Sequence, residues 1–312
     1  MHDAPSTLPS SPTRPKDISH STAIVLGAGG AAGWSFHIGA ADALAEAGVP
    51  IEGAPRVIGT SAGAAVSACL LAGTTRDALL DHLMIPPPPE ERARAREAIR
   101  ERRRFPPRLL KPTSASLLRD VLPGRWSPGR AATALVPRGI LPTRPLGLFP
   151  GLRGSAWPDE LWIPAIRLPG GERIVFGRDH YATLADAVEA SQSVPMMFAP
   201  KRIDGHDHID AATVSSTHAD LLVGAGIDRA IIVAPMIRPG AGIWRAIVRR
   251  ALDDERAQLS AAGVRVEIIT PGDCLGDLFE GIRGRGPSAA PLMREGARRC
   301  VRQGLDGSPL VS

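Results

Sequence analysis

Apolar positions along the chain group into short runs, several rich in β-branched residues, separated by longer stretches with helical spacing. Thr22–Leu26 (TAIVL) has the length and residue types of a buried strand. A glycine-rich turn follows, GAGGAAG from Gly27 to Gly33. Trp34–Ala47 then has helical spacing, with Gly48 placed as its C-cap. A second strand, Arg56–Ile58, runs directly into GTSAG and a helix over Ala62–Leu71, whose apolar character on every side predicts burial. Farther on, LWIPAIRL and RIVF flank PGGE as a hairpin, and Asp186–Ser193 is a short helix ended by Pro195. MMFAPKRI and HDHID flank Asp204-Gly205, a strong hairpin turn. Helical spacing returns near Ala219–Ala225, over Ile243–Ala262 and over Ala290–Gln303, with strands at Ala230–Val233 and Val264–Ile269. Strands alternating with helices predict an α/β fold of three layers, α/β/α, around a mostly parallel central sheet.

Composition sets the boundaries of that fold. The chain has 312 residues, 44% hydrophobic and only 4% aromatic, so its core is built from Ala, Val, Leu and Ile. No apolar run approaches the ~18 residues of a membrane span. Residues 1–21 are Pro/Ser-rich without an apolar segment, which predicts a disordered tail and not a secretory signal. The main domain is expected over 22–235. Within it, a Pro/Arg-rich cap insertion at about 86–157 opens on PPPP. Residues 236–312 read as a helical extension with one strand, packed on the same domain. Cys69, Cys274 and Cys300 are odd in number and far apart, which argues against a disulfide framework or metal site and favours a reducing, cytoplasmic setting.

The net charge of +5 comes almost wholly from Arg, and no nucleic-acid motif accompanies it, so no nucleic-acid partner is expected. Glu90–Arg104 carries seven Arg against four Glu and has no wide apolar stripe, which makes a solvated face its default reading. Phe105, Leu109, Leu110 and Trp126 lie nearby. They give the second reading, peripheral contact with an anionic membrane surface.

Two glycine motifs carry the candidate chemistry. Gly59-Thr60-Ser61-Ala62-Gly63 is G-x-S-x-G between a strand and a helix, where a serine on a sharp turn is exposed as a nucleophile. Its flanking glycines, Gly59 and Gly63, let the turn close, and the helix that follows aims its N-terminal dipole at a developing oxyanion. The Gly27–Gly33 turn is ambiguous by itself. Consecutive amides can cradle a pyrophosphate, as in a dinucleotide-binding oxidoreductase, or an oxyanion. A dinucleotide fold wants an acidic residue about 20 residues on at a strand end. Glu52 is near that distance but lies just before Pro55, and G-x-S-x-G has no role in such a fold. The oxyanion reading is preferred, with Gly29 and Gly30 as donors and Gly27 and Gly33 in support.

A serine needs a base. In HDHID, alternation puts His206, His208 and Asp210 on one face of a strand, with Asp210 at its end. Chemistry alone leaves two choices, Asp210 acting directly or a Ser–His–Asp triad through His208 or His218. Ordinary solvent-facing histidines are the commoner case.

In this order, GAGGAAG, GTSAG and Asp210-Ala211-Ala212 resemble the patatin-like phospholipase family. ASQSVPMMFAP (Ala190–Pro200) and HADLLVGAGIDRAIIVAP (His218–Pro235) resemble further segments of it. The similarity spans roughly Thr22 to Pro235. It implies a serine acyl hydrolase acting on lipid or simple carboxylic esters, with Ser61 as nucleophile, Asp210 taking its proton directly, and Gly29 and Gly30 at the oxyanion. No metal or organic cofactor is implied. Three positions depart from the family pattern: Ala28, Ala32, and Ala211 where glycine follows the acid. If position 211 needs a conformation that alanine resists, activity would be impaired and the domain would serve as a binding module.

Overall fold

Ala23–Leu26, four of the five residues of the first strand, are apolar and buried because both faces of the strand are covered. Ile24 and Leu26 point into one helical layer, while Ala23 and Val25 point into the other. This strand, β1 (Thr22–Leu26), is central in the sheet of a computed structural model that describes residues 21–84, 150–238, 242–272 and 289–305, with a few isolated positions between them. The tail at 1–20 and most of the expected cap at 86–157, including Glu90–Arg104 as a segment, lie outside the described residues.

After β1 come helix α1 (Gly30–Glu46), strand β2 (Val57–Gly59), and helices α2 (Ala62–Leu71) and α3 (Arg76–Met84). The chain resumes with β3 (Leu161–Leu168), β4 (Glu172–Phe176), α4 (Leu184–Ser191), β5 (Lys201–Ile203) and β6 (His206–Asp210). It continues through β7 (Arg229–Val233), α5 (Ile243–Ala261), β8 (Arg265–Ile269) and α6 (Ala290–Leu305). The strands form one sheet in the order β5-β6-β3-β2-β1-β7-β8, with β4 also on β3. β3, β2, β1, β7 and β8 are parallel neighbours, whereas β4 and β6 run antiparallel to β3. Helices α1, α2, α4 and α6 pack on one face; α5 and a 3-10 turn at Ala219–Leu222 pack on the other. This is the expected three-layer arrangement. Among the described residues no helix is long and apolar enough to cross a membrane.

The elements differ from expectation where glycine and proline act. Helix α1 begins at Gly30, four residues before Trp34, so part of the glycine turn is its first turn. Its end is a Schellman cap. Gly48 at φ +78 bonds Ala45 O, and Val49 N donates to Leu44 O at 2.8 Å. β5 starts only at Lys201, because Pro195 and Pro200 cannot donate to a ladder and Met196 sits at φ +70. The expected helix near Ala219–Ala225 is only a 3-10 turn over Ala219–Leu222.

Candidate active site

The position of the site follows from strand register. On β3, Ala165 to Arg167 pair with β4 and also with β6, so those two strands occupy opposite edges. Gly177, just past β4, packs on the carbonyl of Leu161 and fills β4's edge there. β2, which pairs with Leu161 and Trp162, therefore shares the edge of β6. Parallel β2 and antiparallel β6 run toward each other along that edge. Extending the β2–β3 register from Ile58↔Trp162 by three residues brings position 61 level with Ala165, and Asp210 is the Cα partner of Ala165. The hydroxyl and the carboxylate thus meet at the tips of two converging strands.

Ser61 is 6% exposed and caps α2 at φ 55 and ψ −114, outside the ordinary left-handed region. Such strain, of order 1–3 kcal/mol, persists only where the surroundings enforce it. Here the flanking glycines do so. A Cβ on Gly63 would overlap the Leu26 carbonyl, and one on Gly59 would overlap Ser67 Oγ and Ala64. Thr60 N donates to Leu26 O at 3.0 Å, fastening the elbow to β1.

The glycine turn lies beside the elbow, at the carboxyl ends of β1 and β7, which pair Leu26 with Gly59 and with Val233. Gly27 N donates to Val233 O (2.9 Å) and Ala28 N to Ser216 O (2.7 Å). The amides of Gly29 and Gly30 donate to no described group, and the turn is open to solvent at Gly30. The two glycines are needed for different reasons. A Cβ at Gly29 would crowd Gly33 Cα and Pro235, while Gly30 has φ +59 with open space beside it. Gly33 lies against Ala62, the residue after Ser61. Buried His37, on α1, bonds Gly27 O through Nε2 at 2.6 Å. Burial depresses its pKa to about 4, which keeps the ring neutral.

Asp210 is buried at the end of β6. Burial drives its pKa up to about 7, against the opposing pull of the Ala212 N–H and the Ser61 hydroxyl. Oδ1 accepts from Ala212 N at 2.8 Å, while Oδ2 makes no hydrogen bond of ordinary geometry among the described residues. Among the described residues, Ser61 is the side chain whose donor favours the charged form. A buried carboxyl with a free oxygen beside a serine, and a pKa near neutrality, has the properties of a general base. Ala211 is not among the residues at positive φ. It opens a 3-10 turn that Asp210 caps, so alanine suits the place where a glycine was expected.

The histidines do other things. His218 is fully buried, contrary to a solvent-facing reading. Nε2 bonds Ala211 O at 3.0 Å and Nδ1 bonds Arg173 at 3.1 Å, so neither nitrogen is available to Ser61. Its pKa falls to about 4, from burial and then from the Arg173 charge. His218, Asp220 and Glu255 bring possible metal ligands within 4.8 Å of one another. Arg173 supplies a cation to two of them, bonding His218 and holding both oxygens of Asp220, at 2.8 and 2.7 Å. His208 packs on Phe176 with ring centroids 5.7 Å apart, and His206 is exposed and bonds Asp204 O.

Sequence reasoning marked Ala190–Pro200 only as a family-like segment and gave Ser191, Gln192 and Ser193 no part in the site, yet they tie the two strand tips together. Ser191 Oγ accepts from Ser61 N at 3.0 Å and Gln192 Nε2 reaches Ser61 O at 3.4 Å, while Ser193 O accepts from Asp210 N at 3.1 Å. Its signal was present in the buried polar triplet SQS at the end of an otherwise apolar-faced helix.

The family model described as patatin-like phospholipase matches residues 24–223, more than half of the chain. The chain belongs to the patatin-like phospholipase family. Three solved structures are also similar to the chain. VipD from Legionella pneumophila has 15% identity and a TM-score of 0.46, with 93% of this chain and 67% of that one covered. The type III effector protein ExoU has 19% identity and a TM-score of 0.43, with 93% of this chain and 53% of that one covered. A second ExoU structure, from Pseudomonas aeruginosa and in complex with SpcU, has 18% identity and a TM-score of 0.38, with 93% of this chain and 52% of that one covered. The chain thus spans from about half to two thirds of these proteins.

Proposed function

We propose that this patatin-like chain is a serine acyl hydrolase that cleaves carboxylic esters of lipids. Ser61 Oγ attacks the ester carbonyl carbon as Asp210 takes the hydroxyl proton. The amides of Gly29 and Gly30 receive the negative charge that develops on the carbonyl oxygen. Collapse of the tetrahedral intermediate expels the alcohol, which takes the proton back from Asp210 and leaves an acyl-serine. Water, activated by the same carboxylate, then attacks the acyl carbon and frees the acid and Ser61. The observation that carries this reading is the pairing of a strained serine with a buried carboxyl, its pKa raised to about 7, whose Oδ2 has no hydrogen bond of ordinary geometry among the described residues. The relaxed conformation of Ala211 removes the main reason to read the domain as impaired.

Peripheral contact of the Arg-rich segment with anionic lipid belongs to the same proposal and is tested by sedimentation with anionic vesicles at low salt. The function is tested by hydrolysis of p-nitrophenyl esters from acetate to palmitate. Wild type is expected to turn over, and Ser61→Ala to lose about 10⁴-fold or more in kcat. Equal rates in the two proteins would rule the reading out.

A further inference from the structure

The glycine turn after β1 and the Asp210 turn after β6 are both fastened to one further loop, residues 215–219. Ser216 O accepts from Ala28 N at 2.7 Å, and His218 Nε2 bonds Ala211 O at 3.0 Å. That loop is wrapped around a single buried carboxylate on α5. Glu255 Oε1 accepts from Ser215 Oγ at 2.5 Å, and Oε2 accepts from Thr217 Oγ1 at 2.5 Å and from Ala219 N at 2.9 Å. Glu255 is 5% exposed.

We propose that Glu255 is a positioning residue for the hydrolase, holding in register the loop to which both the oxyanion turn and Asp210 are tied. The inference rests on the Ser61–Asp210 reading above. It assigns a part in the site to the C-terminal region, since Glu255 lies beyond the family match at residues 24–223.

The bonding pattern accepts only a carboxylate. Ser215 Oγ already receives the amide protons of Thr217 and His218, each at 3.2 Å, so its own proton is directed to Glu255. Ala219 N can only donate. A glutamine at 255 would point its NH₂ either at the filled Ser215 oxygen or at the Ala219 N–H, and one donor would oppose another in each orientation. A buried mismatch of this kind moves the loop, because leaving the donors unpaired is unfavourable. Asp220 adds negative charge nearby, balanced by Arg173.

The test uses the full chain and p-nitrophenyl butyrate. Glu255→Gln is expected to lower kcat about 10²-fold, the scale of a small displacement of catalytic groups, with KM within about twofold. Thr217→Val keeps the side-chain shape and removes one bond, so it should lower kcat about tenfold. Thr217→Ser keeps the hydroxyl and should restore most of that loss. Asp254→Asn, on the exposed face of the same helix, should behave as wild type. In Glu255→Gln, amide hydrogen exchange is expected to rise at residues 27–31 and 211–214 and to stay unchanged in β1 and β7.

Wild-type kcat in Glu255→Gln overturns the proposal. So does a loss in Thr217→Ser equal to that in Thr217→Val, or exchange that rises throughout the sheet. If wild type shows no Ser61-dependent hydrolysis, the hydrolase reading fails and this inference fails with it. An active wild type with an unaffected Glu255→Gln removes this inference alone.

Discussion

The proposed nucleophile and the proposed base reach the same point by opposite routes. Ser61 arrives locally, since strand, glycine, turn and helix are contiguous, and the elbow is shaped by close contacts of Gly59 with Ala64 and Ser67 and of Gly63 with β1. Asp210 arrives through distant partners, namely Ala165 in register, Ser193 at its amide, and His218 on the residue that follows. The local side is sterically intolerant. The distant side is chemically tuned, because burial sets the pKa of its carboxyl. Substitutions should therefore break the elbow by shape and the acid by environment.

The largest effect is expected from adding a methyl group at the elbow, and it contrasts with removing one beside the acid. Gly63→Ala drives a Cβ into the Leu26 carbonyl, backbone against backbone, and should destabilise by about 4 kcal/mol or more in thermal melts. The reverse exchange at the acid, Ala211→Gly, should cost about 1 kcal/mol or less and leave kcat unchanged. A large gain of activity in Ala211→Gly would show that alanine impairs this site.

The pH dependence isolates the acid. With its pKa at about 7, kcat/KM should fall about tenfold for each pH unit below 7 and level off above it. The sign for stability is opposite. The folded pKa lies above the unfolded value, so the contribution of Asp210 to stability is complete below about pH 4 and is lost as pH rises through about 7. Asp210→Asn should thus be inactive yet melt higher than wild type at pH 8, and the difference should vanish near pH 4. Buried His37 and His218 act in the other direction, destabilising as pH falls from about 6.5 toward 4, but equally in both proteins.

Smaller effects probe the tie between the two sides. Ser191→Ala removes the oxygen that accepts from Ser61 N and should lower kcat about tenfold with little change in KM. Smallest is the strain itself. Ser61→Gly should be more stable than Ser61→Ala by about 1 kcal/mol, because glycine alone is at ease at φ 55 and ψ −114. Equal stability of the two would mean that the elbow stores no strain.

Most of the fold was legible because its elements announce themselves locally. β1, α2 and the β3–β4 hairpin lie where their spacing placed them, as does the three-layer plan. What was hidden depends on tertiary contact. The start of α1 within the glycines, the shortening of β5 by two prolines, and α3 carry weak local signals. In the site, Ser61 and Asp210 stood out by motif, and strand alternation gave the face of Asp210. His218 could not be read as a buried brace from sequence, since only Ala211 and Arg173, 7 and 45 residues away, give it that task. Glu255 looked like one charge among many on an amphipathic helix, and its burial is visible only once the 215–219 loop is folded over it.

The most direct test is the rate at which a fluorophosphonate labels Ser61 as a function of pH. The account predicts a single ionisation near pH 7 in wild type, no labelling in Ser61→Ala, a rate near zero in Asp210→Asn, and an unchanged profile in His208→Ala. A rate that persists in Asp210→Asn and disappears in His208→Ala would contradict it, and would assign the proton to histidine.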